Sequence, residues 1–582
     1  MRIFTFIAVV CLAACNPATN TPLPSQSVSD GQAAHQDVWS KGAMVAAANP
    51  YAVAAAIEIL QNGGHAVDAA IAAHTVLGLV EPQSSGIGGG GFMIVYDRAQ
   101  DTISVYDGRE TAPAGATADM FMRDGKKIGF MNAWQSGLSV GVPGAVAMYQ
   151  LAHEDHGSLP WADVFQPAIR LATNGFNVSP RLAKMLPRFA RPTRLDDNPA
   201  TAAYFFPDGE SLQAGHLLKN SEYAETLGKI ADEGIQAFYF GTIAEQIAVA
   251  AQAEPNGGSL SIADLNNYKA IKREAVCGKF RDMSICTPPP PASGAVQIMI
   301  AGLYDYFAAD ASSQNEKVRA FVDAQRLGYA DRDYYFGDPA FVAVPTDALI
   351  DPEYLRHRAG ERSAPGSIPT HGDPASVLPE AAAANWGIDA TTEIGGTTHL
   401  SIIDQHGNAV SMTASIEAPF GSSRWVGGFL LNNELTDFSS PPSVDGRLVA
   451  NAIAPGKRPR SSMSPILIFD KNNDLLMVTG SPGGHSIPAY VAKSVIGFLD
   501  WGLSAQQAVD YPNIIARGEK VRVETADAAG KPLAASLTEL GYSVRETKGE
   551  NSGIHLIVVR PDGLEGAADK RREGVVRTLD AN

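Results

Sequence analysis

The sequence predicts an α+β fold in one large body, and three stretches carry that expectation. Val45 to Leu60 is Ala-rich with apolar residues at helical spacing and stops at Asn62-Gly63-Gly64; His65 to Leu79 repeats the pattern, so two helices follow one another. Phe92 to Tyr96 and Thr102 to Tyr106 read as strands, the first opened by the glycine-rich run Ser84 to Gly91, where backbone can pack against backbone. Gly395-Gly396-Thr397-Thr398-His399-Leu400-Ser401 runs on as Ile-Ile-Asp, turns through Gly407-Asn408 and returns as Ala409 to Thr413. That pattern is a hairpin with Thr397 on the first residue of a core strand.

Composition sets the bounds. The chain has 582 residues, 45% hydrophobic and 18% charged, which suffices for a large core, and its 56 glycines and 37 prolines are spread along it as tight connections. A net charge of -17 without any basic stripe argues against a nucleic-acid partner. Met1-Arg2 precedes an apolar run from Ile3 to Leu12 that is too short to span a bilayer. It ends in Leu12-Ala13-Ala14-Cys15, which resembles a bacterial lipobox. The expectation is a signal peptide over 1–14, lipid on Cys15, a flexible tether over 15–40, and an exported lipoprotein, periplasmic or anchored to the outer membrane. The other two cysteines, Cys277 and Cys286, flank a hairpin turn; they read either as a disulfide across two strands or as unpaired small apolar residues.

Several motifs carry chemistry. The run Gly86 to Gly91 follows a helix, lacks the Lys of a phosphate loop and opens a strand, which excludes a nucleotide cradle. His153 and His156, beside Glu154 and Asp155, are two ligands without a partner cluster and read as a solvated helix end, so no metal is expected. Were the bond between Gly396 and Thr397 cut, Thr397 would hold a hydroxyl and a free amine on one residue, the nucleophile and base of an N-terminal threonine enzyme. Arg109 ends a strand, Asn432-Asn433-Glu434-Leu435-Thr436-Asp437 offers two carboxylates and two amides, and Ser461-Ser462 offers two hydroxyls. Gly480-Ser481-Pro482-Gly483-Gly484 offers consecutive unobstructed backbone N–H groups.

Taken together, these separated motifs resemble the gamma-glutamyltransferase (gamma-glutamyltranspeptidase, glutathione hydrolase) family of the N-terminal-nucleophile hydrolases, from about Gly42 to the C-terminus. The resemblance implies a four-layer αββα sandwich, made as one chain and self-cleaved into a large subunit, 41–396, and a small catalytic subunit, 397–582. It implies that Thr397 forms a gamma-glutamyl-enzyme, that Ser415 bonds the new N-terminus and that Gly483 and Gly484 form the oxyanion hole. Arg109, Ser461 and Ser462 would then hold the substrate's α-carboxylate, with Glu434 and Asp437 on its α-ammonium opposite Arg109. Glu417 stands where well-studied transpeptidases carry Asn, and Ser439 to Pro455, where some members have a lid bearing a tyrosine, has none. Glutathione and other gamma-glutamyl compounds are the expected substrates, water or amino acid and peptide amines the acceptors, with no cofactor. Glu417 and the missing tyrosine also fit a glutaryl- or cephalosporin-type acylase on the same fold, and a rival of another class is an uncleaved surface lipoprotein that only binds.

Overall fold

The structure, a computed structural model, describes residues 38–580 apart from 380, 382–383 and 392. The signal peptide and Cys15 therefore lie outside the described residues, as does the tether up to residue 37. Fourteen strands build two seven-stranded antiparallel sheets. In chain order they are β1 (Val38–Ser40), β2 (Ala43–Ala47), β3 (Gly90–Asp97), β4 (Thr102–Asp107), β5 (Ile271–Arg273), β6 (Val276–Phe280) and β7 (Met283–Thr287), then β8 (Thr397–Ile403), β9 (Ala409–Ser415), β10 (Ile466–Phe469), β11 (Leu475–Gly480), β12 (His555–Arg560), β13 (Gly563–Ala568) and β14 (Val575–Leu579). One sheet runs β14-β2-β8-β9-β3-β4-β5 and the other β1-β13-β12-β11-β10-β7-β6.

Alternation along the strands decides the layers. Met44 and Ala46 of β2 and Ile94 and Tyr96 of β3 join Leu467, Val478 and Ile557 in an apolar layer between the sheets. Their neighbours Val45, Ala47, Met93 and Val95 point the other way, onto the helices Pro50–Gln61 and Ala66–Val80. On the far side, Ile466, Ile468, Met477 and Leu556 meet the helices Gly294–Ala308, Gln314–Tyr335 and Ile487–Leu499. The result is the four-layer αββα sandwich. Thr397, His399, Ser401 and Ile403 occupy alternate positions of β8; Ser401 Oγ donates to the His555 carbonyl of the facing sheet at 2.9 Å.

Two local readings change. Val45 does not begin a helix: Ala43–Ala47 is a central strand, and the helix starts at Pro50 behind Asn49, whose side chain accepts the N–H of Tyr51 at 3.0 Å. Alanine's helix propensity gave way to pairing with β8 and β14 on both edges. Val38–Ser40, the end of the stretch expected to be tether, is an edge strand paired with β13. The glycine run does what close backbone packing demands: a Cβ at Gly89 would sit 2.0 Å from the Ser415 carbonyl oxygen. Cys277 and Cys286 are register partners on β6 and β7 and are disulfide-bonded.

Candidate active site

Thr397, first residue of β8, pairs in register with Ser415, last residue of β9. Both are buried, and their Oγ atoms lie 3.3 Å apart. Ser415 Oγ also accepts the N–H of Glu417 at 2.8 Å. Just upstream, Gly395 and Gly396 allow a close approach no other residue could make: a Cβ on Gly396 would lie 2.4 Å from the Glu417 carbonyl oxygen, and one on Gly395 would lie 2.8 Å from the Gly483 carbonyl carbon. Gly483 and Gly484, with φ of +139° and +58°, thus pack directly on the segment that enters β8.

Two side chains that the sequence reading passed over hold the backbone here. Arg572 Nη1 donates to the Thr397 carbonyl at 2.6 Å, and Asn551 Nδ2 donates to the Gly395 carbonyl at 3.0 Å. Arg572 Nη2 also donates to the Asn551 carbonyl at 3.1 Å. The carbonyls flanking Gly396 are therefore pinned from the far end of the chain. Burial, followed by repulsion from Arg181, lowers the Arg572 guanidinium to about 9, which leaves it charged at neutral pH. Arg572→Met is expected to slow any cleavage at Gly396–Thr397 by roughly tenfold or more, because small misplacements in a strained attack geometry are costly; the cleaved fraction on denaturing gels against time checks this.

Acidic groups crowd beside this point. Glu417, Glu434 and Asp437 are all buried and bring carboxylate oxygens within 4.8 Å of one another. Glu417 follows β9 with φ of +73°, in the left-handed region that bulky residues seldom occupy, and such strain concentrates at functional sites. Arg109 is not opposite these acids but among them. Its Nη1 donates to Glu434 Oε1 and its Nη2 to Asp437 Oδ2 at 2.5 Å, while Glu110 lies 3.5 Å away. Glu434 Oε2 and Asp437 Oδ1 have no hydrogen-bond partner within the described residues. Burial, reinforced by mutual repulsion, pushes Glu110, Glu417 and Asp437 well above the usual carboxylate range, and burial raises Glu434 too.

A raised acid holds its proton longer in the folded than in the unfolded chain, so it subtracts stability as pH rises above about 4.5. Glu417→Gln removes that penalty. In the uncut chain the melting temperature of Glu417→Gln minus that of the wild type is expected to grow between pH 5 and pH 8, by on the order of 2 °C. Thermal unfolding of the pair across that range checks it.

A second charged cluster adjoins the first. Ser462 Oγ donates to Glu393 Oε2, and Arg332 Nη2 reaches both Glu393 Oε1 and Ser462 Oγ at 2.7 Å. Arg460 Nη2 lies 2.8 Å from Asp389 Oδ2 and 3.5 Å from Glu393 Oε1. Ser461 turns elsewhere, its Oγ accepting the Met463 N–H at 3.2 Å. The stretch Ser439 to Pro455, where some members of the family have a lid, holds a short hairpin, Ser443–Val444 with Arg447–Leu448, and no tyrosine.

Arg572, Asn551, Arg332, Arg460 and Glu393 were missed as site residues. Arg460 directly precedes Ser461 and Ser462, which were singled out; the groups that the others contact lie in remote stretches and do not show in local pattern. The profile described as Gamma-glutamyltranspeptidase matches residues 52–579. The Escherichia coli (strain K12) protein named "Glutathione hydrolase proenzyme" is 35% identical over 97% of this chain and 98% of its own. "Acylase ACY 1 proenzyme" of Pseudomonas sp. (strain V22) is 34% identical over 95% of this chain and 97% of its own. Among solved structures, the cephalosporin acylase from Bacillus halodurans superposes with a TM-score of 0.82 at 26% identity, over 97% of this chain and 99% of its own. With this fold and these likenesses, the chain belongs to the gamma-glutamyltranspeptidase family of N-terminal-nucleophile hydrolases and is an enzyme with a threonine nucleophile.

Proposed function

We propose that Thr397 is that nucleophile, freed when the chain cuts itself between Gly396 and Thr397, and that the enzyme hydrolyses or transfers gamma-glutamyl groups, glutathione being the foremost substrate. The observation that carries this reading is the trio Glu417, Glu434 and Asp437 beside the Thr397–Ser415 pair. Four buried acids, Glu110 included, gather about Arg109 at this spot, and a substrate ammonium would bring them a second cation.

The chemistry follows from the placement. In the uncut chain the Thr397 hydroxyl oxygen attacks the Gly396 carbonyl carbon; the peptide C–N bond breaks as the nitrogen takes a proton, leaving an ester that water hydrolyses to a carboxylate on Gly396 and a free amine on Thr397. That amine, with an unperturbed pKa near 8, takes the hydroxyl proton as Oγ1 attacks the substrate's γ-carbonyl carbon. The leaving amine departs with the proton, and water or an acceptor amine then releases the glutamyl group. Backbone N–H groups of Gly483 and Gly484 would hold the developing oxyanion, and Ser415 Oγ, already at Thr397, would bond the new amine.

The whole-chain likeness to a cephalosporin acylase favours a second reading, a glutaryl- or cephalosporin-type acylase, and the comparisons lean toward it. Both readings share the threonine chemistry and differ in the acid trio, to which a glutaryl group would bring no second cation beside Arg109. Rates on gamma-glutamyl and glutaryl anilides separate them. The gamma-glutamyl reading expects kcat/KM to be about 10²-fold or more higher with the α-amine present. Equal rates, or a preference for glutaryl, assign the acylase instead.

Export and lipidation at Cys15 belong to this proposal as well. Among the described residues no helix is long and apolar enough to cross a membrane. Labelling with radioactive fatty acid, lost in Cys15→Ala, would establish the anchor.

A further inference from the structure

The segment ending at Gly396 lies across both halves of the candidate pocket. On the basic side, Glu393 meets Arg332, Arg460 and the Ser462 hydroxyl, with side-chain exposures of 0% for both arginines and 2% for the glutamate. On the acidic side, the N–H of the next residue, Ile394, donates to Glu417 Oε1 at 3.0 Å. One carboxylate on the guanidinium groups and one N–H on a carboxylate reproduce, in two adjacent residues, the pairing that an amino acid's charged head would make.

Charge balance shows what happens when that segment leaves. Arg332, Arg460 and Arg517 are matched here by Asp333, Asp389 and Glu393. Two of those three acids, Asp389 and Glu393, belong to the stretch before Gly396. That stretch is also tied down elsewhere: the Gly387 N–H donates to the Leu448 carbonyl at 2.8 Å, and Arg517 Nη2 donates to the Thr391 carbonyl at 3.0 Å. Once it withdraws, buried guanidinium groups lose their partners, a costly state that an incoming anion relieves.

We propose that Glu393 and Ile394 plug the pocket of the uncut chain as a built-in imitation of the substrate's charged head. The anion site they cover, Arg332, Arg460 and the Ser462 hydroxyl, takes a carboxylate of the substrate after cleavage. The inference rests on the pocket assignment above but not on the choice between substrates, since gamma-glutamyl and glutaryl groups both carry a free carboxylate. After cleavage the plug remains tethered to the large subunit, so it competes at an effective concentration on the order of millimolar.

Calorimetry of glutamate and of glutarate on the cleaved wild-type and cleaved Glu393→Gln proteins tests this. Removing the plug's charge is expected to tighten whichever ligand binds by about threefold or more, and to lower KM by a similar factor. The peptide Thr-Glu-Ile-Gly-Gly, added to cleaved Glu393→Gln, is expected to inhibit competitively, and its Gln counterpart at least tenfold more weakly. If Glu393→Gln fails to cleave, Glu393→Asp, with a shorter reach, takes its place and is expected to shift Kd the same way. Unchanged Kd in the variants, an inert peptide, or no binding of either ligand overturns the proposal. The order of glutamate and glutarate affinities tests the substrate assignment alone: glutarate binding as tightly as glutamate defeats the gamma-glutamyl reading and leaves the plug standing.

Discussion

Thr397→Ala is expected to accumulate as a single uncut chain with kcat at least ~10⁴-fold below that of the cleaved enzyme, because one substitution removes both the self-cleaving group and the nucleophile. Its fold is expected to survive. Among the described residues the lost hydroxyl has one side-chain hydrogen-bond partner, Ser415 at 3.3 Å, and the strand it starts is held by pairing with both β2 and β9. Thr397→Ser keeps an oxygen at the same place and is expected to cleave and turn over, more slowly. Gel mobility, circular dichroism and single-turnover rates on the three proteins read these outcomes separately.

Asp437→Asn is expected to produce the second-largest effect. Asp437 binds Arg109 through Oδ2 and leaves Oδ1 without a hydrogen-bond partner among the described residues, aimed into the trio where an ammonium is proposed to sit. Neutralising it should lower kcat/KM on a gamma-glutamyl anilide by about 10²- to 10³-fold, as loss of one buried charged partner does. Turnover of the glutaryl anilide should change by about tenfold at most, since that substrate brings no ammonium. The ratio of the two is therefore the quantity to measure. A parallel fall on both substrates would mean that Asp437 only holds Arg109 in place.

The sequence showed the catalytic edge of this fold more clearly than its surroundings, for physical reasons. Gly395-Gly396-Thr397 and the hairpin beyond it were legible because glycine and two-residue periodicity report local backbone demands, and Thr397 does start a core strand opposite Ser415. Val45 to Ala47 was misread as helix because alanine favours helices locally, while strand pairing on both sides, invisible in one dimension, decides the matter. Arg109 was recognised as a site candidate but placed opposite its own ion-pair partners, since distances between residues some 325 positions apart do not show in spacing. Arg572 and Glu393 were missed for the same reason. Each acts on Thr397 or Ser462 from a remote stretch, so no local pattern marks the contact. The pairing of Cys277 with Cys286 stayed open until the register of β6 and β7 set them side by side.

Everything proposed for the pocket presumes that the chain breaks beside Thr397, so the most direct test is the identity of the small fragment's first residue in freshly purified, active protein. N-terminal sequencing or intact mass is expected to give a fragment that begins Thr-Thr-His-Leu-Ser and carries the activity with its large partner. Full activity in a preparation that remains one uncut polypeptide, or a fragment that begins at any other residue, would contradict the account.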